Sequence, residues 1–167
     1  MNIEKQYELK QLSSLGVPLE ELAKYDVLVL PENYRGDFAA MIDAQDAITL
    51  SKMLKGEGIK CANSLDLGLE IPTVERRAND MWLGAIYILN EAVIPFAVSI
   101  IANLVTPMIQ HRLSKKDERT PTGVIHTEIT VQKVDSYANI KYTGDAETFI
   151  KILDTLKGGD THEITGE

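Results

Sequence analysis

The chain is 167 residues long, 44% hydrophobic and 25% charged, with a formal net charge of −8 at pH 7. That length suits one domain able to bury about two thirds of its unfolded surface, and the composition argues against disorder along most of it. The acidic balance argues against nucleic acid as the main ligand, which needs clustered Lys and Arg; a local basic patch stays open where Arg112, Lys115, Lys116 and Arg119 fall close together.

Ile3, Tyr7, Leu12 and Leu15 recur at helical spacing among charged residues and predict a surface helix, ended by Gly16. The opening run Met1-Asn2-Ile3-Glu4 has no basic segment leading into an apolar one, so a cleaved secretory signal is not expected. Pro18 suits the first turn of a short helix running to Lys24. Val27-Leu28-Val29-Leu30, closed by Pro31, predicts a buried strand.

Asn33 to Asp37 reads as a loop, and Phe38 to Lys55 as helix broken near Asp43, with Asp43 or Asp46 as a cap. Gly56-Glu57-Gly58 stops that helix, and Ile59 to Ala62 is the next expected strand. This strand–helix–strand order permits a small parallel or mixed sheet. No glycine-rich phosphate loop follows Leu30, which leaves a dinucleotide-binding reading unsupported.

A polar connection leads to the most unusual part of the chain. From Met81 to Gln110 the only charged side chain is Glu91. This stretch is expected to be helical and divided by Pro95 and Pro107 into two packed helices. The eighteen uncharged positions from Ala92 to Ile109 reach the lower length of a membrane-spanning helix, and membrane insertion through them is one open reading. The two prolines, with Ser99, Asn103 and Thr106, favour core or an oligomer interface instead.

The last third carries the clearest periodicity. Ile125, Thr127, Ile129 and Val131 alternate with polar residues, Ala138, Ile140 and Tyr142 share a face of a second strand, and together they predict an antiparallel hairpin. Asp145 is placed to cap a helix through Leu156, which would pack Phe149, Ile150, Leu153 and Leu156 on the hairpin. Gly158 to Glu167 is expected to be a loose polar tail. The expected fold class is α+β: a small mixed sheet with a C-terminal antiparallel hairpin, packed with apolar helices, in one domain over residues 1–157.

Common chemistries find little support. Cys61 is the only cysteine, which rules out an internal disulfide and fits a cytoplasmic location. It lacks an identifiable activating base and reads as a small buried residue. His111, His126 and His162 show no metal-ligand spacing, so neither a metal nor a cofactor is expected. Glu91 is a lone carboxylate among weakly polar residues, so it must meet a partner, reach water or take up a proton. Arg76, Arg77 and Arg112 are its expected structural partners. The other candidate site is the loop after the first strand, where Tyr34, Arg35 and Asp37 could clamp a ligand or serve as ordinary loop residues.

From about Asp43 to Leu156 the order of elements resembles the effector-associated constant components of bacterial conflict systems. The resemblance is carried by a Leu-rich helix, an apolar helical region ending in Arg112-Leu113, a charged linker, the Ile125 strand, and Ile140-Lys141-Tyr142-Thr143-Gly144-Asp145-Ala146-Glu147 before the final helix. It does not extend to the first forty residues. It implies a non-enzymatic adaptor that couples an effector to another module. The leading expectation is therefore a cytoplasmic accessory protein that binds a protein partner or itself. The alternatives are a ligand-binding or enzymatic domain using Tyr34, Arg35, Asp37 and Glu91, and a membrane-associated protein using Ala92 to Ile109.

Overall fold

A computed structural model describes residues 18–22, 24–31, 43–68, 73–74, 81–114, 124–132, 137–157 and 165–166. Its elements in chain order are α1 (Leu19–Leu22), β1 (Val27–Leu30), β2 (Asp43–Ala44), α2 (Gln45–Gly56), β3 (Cys61–Asn63), β4 (Thr73–Val74) and β5 (Met81–Ile88). A 3-10 turn (Glu91–Val93), α3 (Ile94–Ser114), β6 (Ile125–Gln132), β7 (Tyr137–Gly144), α4 (Ala146–Lys157) and β8 (Thr165–Gly166) follow. The predicted helix over Ile3 to Leu15 and the Asn33 to Asp37 loop lie outside the described residues.

Among the described residues the main sheet has six strands in the order β3-β1-β5-β6-β7-β8, and β2 pairs with β4 apart from it. β1 is parallel to β3 and antiparallel to β5, β5 is parallel to β6, and β6 and β7 form the antiparallel hairpin. The fold is α+β with a mixed sheet.

Strand alternation splits the core into two layers. On one face Val27, Val29, Ile86, Ile88, Ile129, Val131 and Ile140 meet apolar residues of α2, α3 and α4. On the other, Leu28, Leu30, Ala85 and Tyr87 pack with Leu22 of α1 and with Leu67. Burial on both faces explains why β1 and β5 read as unbroken apolar runs.

The stretch from Met81 to Gln110 is not two helices. Its first part, β5, is an eight-residue strand at the centre of the sheet. The break falls at Leu89 and Asn90, not at a proline. Leu89 N donates to Asp26 O at 2.8 Å, and Asn90 Oδ1 accepts from Ala92 N at 3.0 Å while its Nδ2 donates to Asp26 Oδ1 at 3.1 Å. Asp26 and Asn90 thus fix the point where strand gives way to helix. Pro95 sits in the first turn of α3, where a missing N–H costs nothing. Pro107 lies inside α3, which continues past it to Ser114. Among the described residues no helix is long and apolar enough to cross a membrane. Within the Ala92 to Ile109 segment, Ile94, Ala97, Val98, Ile101 and Val105 are spent on the core.

Asp46 is not a helix cap. Its Oδ2 accepts from Trp82 N at 3.1 Å, at the β-bulge where the β5–β6 register shifts between Trp82 and Gly84. Asp145 does cap α4, accepting from Thr148 N at 3.1 Å.

Candidate functional site

Helix α2 turns Ala47, Leu50, Ser51 and Leu54 inward, and α3 turns in Ile94, Ala97, Val98 and Ile101. Beside these contacts lies a groove of about 690 Å³. Met53, Gly56, Glu57 and Ile59 form its α2 side. Phe96, Ser99, Ile100 and Asn103 form its α3 side, at the i, i+3, i+4, i+7 spacing of one helical face. Phe96 is 65% exposed at the rim, against 8% for Ile100 at the floor. The polar side chains there are few, and the Ser99 hydroxyl donates to the Pro95 carbonyl at 2.8 Å. The groove therefore presents mainly apolar surface, with one carboxylate, Glu57, at its edge.

A second arrangement involves the polar face of the hairpin. Trp82 and His126 are register partners on β5 and β6, and their rings stack with centroids 3.7 Å apart and planes 9° from parallel. Asn139 Nδ2 donates to Glu128 Oε1 and to Thr130 Oγ1, both at 2.9 Å. His126 is half-buried on the face opposite Ile125 and Ile129, and this expected polar strand position holds a ring partner for Trp82. These contacts lock the cross-strand pairs to each other. Among the described residues no three His, Cys, Asp or Glu side chains come together as a metal site.

Of the residues singled out from sequence, Tyr34, Arg35 and Asp37 lie outside the described residues. Glu91 is exposed in the first turn of the 3-10 segment that leads into α3, where the helix N-terminus favours a carboxylate. The apolar stretch thus places its one charge at a turn in water rather than in the core. Glu91 follows Ile88, the partner of Val27 at the start of β1.

Cys61 is buried on β3, and its Sγ donates to Ser51 Oγ at 3.8 Å. Burial pushes the thiol up from an ordinary 9.0 to about 11, outweighing the Ser51 hydrogen bond and the nearby Lys55 ammonium. It is a neutral thiol at physiological pH and no nucleophile. The sign of the linkage follows. Between pH 9.0 and about 11 the unfolded chain has lost the Cys61 proton while the folded chain keeps it. Folding stability therefore falls through that window, by roughly 2–3 kcal/mol from this group. Burial and the Asp145 carboxylate also raise the Tyr142 phenol, so the measurement must be a difference. Urea unfolding from pH 8 to 11.5 should show wild type losing that much more stability than Cys61→Ala. Parallel curves would refute the assignment.

The α2–α3 groove has no signature in the sequence. Phe96 in the middle of an apolar run gives no sign that it faces outward until the helix phase is known. Comparison with protein-family models, with curated proteins and with solved structures gives no match.

Proposed function

We propose that this chain is a non-enzymatic accessory protein that acts by binding a protein surface, with the α2–α3 groove as its contact site. The observation that carries this reading is Phe96, a large apolar side chain 65% exposed beside the partly buried Met53 and Ile59. A few anchors buried in well-packed pockets carry most of the binding energy at a protein interface, and an apolar groove between helices suits a helix or a loop of a partner. The resemblance in element order between Asp43 and Leu156 supports an adaptor role in a bacterial conflict system, and the single cysteine fits a cytoplasmic setting.

Phe96→Glu tests the reading. Because the side chain is mostly exposed, the substitution should leave stability within about 0.5 kcal/mol of wild type. It should weaken association at least about tenfold, as loss of an anchor does. Sedimentation velocity over a concentration series reads self-association. A photo-crosslinking phenylalanine analogue at position 96, used in the native host, reads a heterologous partner. The reading fails if wild type stays monomeric at every concentration and position 96 yields no intermolecular product in cells. A ligand-binding reading has one observation in its favour, since about 690 Å³ lies within the range of small-molecule sites. A thermal-shift screen with nucleotides and common metabolites separates the two.

A further inference from the structure

The two edges of the sheet are not equivalent. β3, at one edge, is three residues long, and Asn63 N already donates to Asp66 Oδ2 at 2.9 Å. Asp66 is itself held by Lys55 and donates its own N–H to Asn63 Oδ1. That edge is short and tied into a turn. The other side of the sheet is different. β7 has eight residues, and all eight are in register with β6 on its inner side. On its outer side, among the described residues, only Lys141 and Tyr142 are matched, by Thr165 and Gly166 of β8. Seven residues separate the end of α4 from the start of β8. A long strand left with a row of backbone donors and acceptors is a template for another strand.

We propose that the outer edge of β7 is a docking site for the same edge of a second copy of this chain, and that β8 is the strand that yields it. Two features of β7 select that occupant. The chain carries a net charge of −8, so a contact between two copies costs least along a segment without carboxylates. Tyr-Ala-Asn-Ile-Lys-Tyr-Thr-Gly contains no acidic residue. The strand is also complementary to itself. Two β7 edges laid antiparallel about Ile140 place Asn139 opposite Lys141, so the lysines do not face each other. On the helix-covered face they place the small, buried Ala138 opposite the large, buried Tyr142. This is the closed two-fold pairing that a single strand edge can make. The surface is separate from the α2–α3 groove, and the proposal stands or falls independently of Phe96.

The register gives the test. In the full-length chain, Thr165→Pro with Gly166→Pro removes the donors of β8 and should release it. Sedimentation equilibrium should then show dimerisation at least tenfold tighter than wild type. Asn139→Cys and Lys141→Cys chains, each carrying the released tail, are mixed under mild oxidation. The mixture should form disulfide dimer several times faster than either chain alone, because cross-strand partners lie closer than diagonal neighbours. The same comparison with the wild-type tail, at higher concentration, keeps the test independent of the proline variants. A released chain that stays monomeric, or a mixture no faster than its components, overturns the proposal.

Discussion

Gly84→Ala is expected to destabilise the protein by about 4 kcal/mol or more, a large effect for one added methyl group. Gly84 has φ +72°, in the left-handed region, where a Cβ costs roughly 1–2 kcal/mol by itself. Most of the loss is steric. A Cβ at this position would lie 2.3 Å from the Leu30 carbonyl oxygen. That atom belongs to the backbone of β1, which pairs with β5 at Leu30↔Ala85, so it cannot swing aside as a side chain would. The bulge between Trp82 and Gly84 is fixed from the other side too, because Thr127 Oγ1 donates to Gly84 O at 3.0 Å. Relief requires β1 and β5 to separate at the centre of the sheet. Gly58 supplies the control. It also has positive φ, +84°, but nothing lies within 4 Å of its added Cβ. Gly58→Ala should therefore cost only the backbone strain, about 1 kcal/mol. Thermal melts should show a fall of about 8–16 °C for Gly84→Ala and a few degrees for Gly58→Ala. Similar losses for both would show that the Leu30 contact relaxes without cost.

The same residue shows why the middle of the chain is hard to read from sequence. Met-Trp-Leu-Gly-Ala-Ile-Tyr-Ile is apolar at every position because β5 is buried on both faces of the sheet, so the alternation that marks a half-exposed strand is missing. A Trp, a Tyr and two β-branched isoleucines in eight residues point to strand, but the continuous apolar character up to Gln110 suggests helix. The boundary between them rests on the hydrogen bonds from Asn90 and Leu89 to Asp26, sixty-odd residues away, which no local pattern contains. By contrast β6, β7 and α4 are legible. Each has one wet face, and Asp145 marks the helix start within the chain itself.

The candidate site follows the same logic. Glu91 stands out in sequence as a lone charge in an apolar run, yet the run changes element just before it and the carboxylate lies at an exposed helix start. Phe96 does not stand out, since in sequence it is one more apolar residue. Its exposure depends on the rotation of α3, which is set by Ala97, Val98 and Ile101 packing toward the sheet. Met53 and Ile59 come beside it only because β1, α2 and β3 form a parallel unit that brings α2 against α3.

Phe149→Ala is expected to cost about 3–5 kcal/mol, the range for truncating a buried aromatic ring. Phe149 is fully buried on α4 and stacks on Tyr142 of β7, with ring centroids 5.2 Å apart and planes at 30°. The Tyr142 hydroxyl turns back to donate to Asp145 O at 2.7 Å, the residue whose side chain caps α4. Strand, turn and helix are therefore closed on one another at this corner. Gly144 lies between them, and a Cβ there would sit 2.7 Å from the Tyr142 hydroxyl. Removing the Phe149 ring leaves a void against Tyr142 that only a shift of α4 can close, and α4 also packs against α3. The damage should spread beyond one contact. Tyr142→Phe separates packing from hydrogen bonding, since it keeps the ring and deletes one hydrogen bond, for about 1 kcal/mol. Urea unfolding gives both values. Amide exchange should show β7 and α4 opening together in Phe149→Ala, because they share the lost support. A loss below about 1.5 kcal/mol, well under the range for a buried ring, or faster exchange in α4 with β7 unchanged, would show that the corner does not couple the hairpin to its helix.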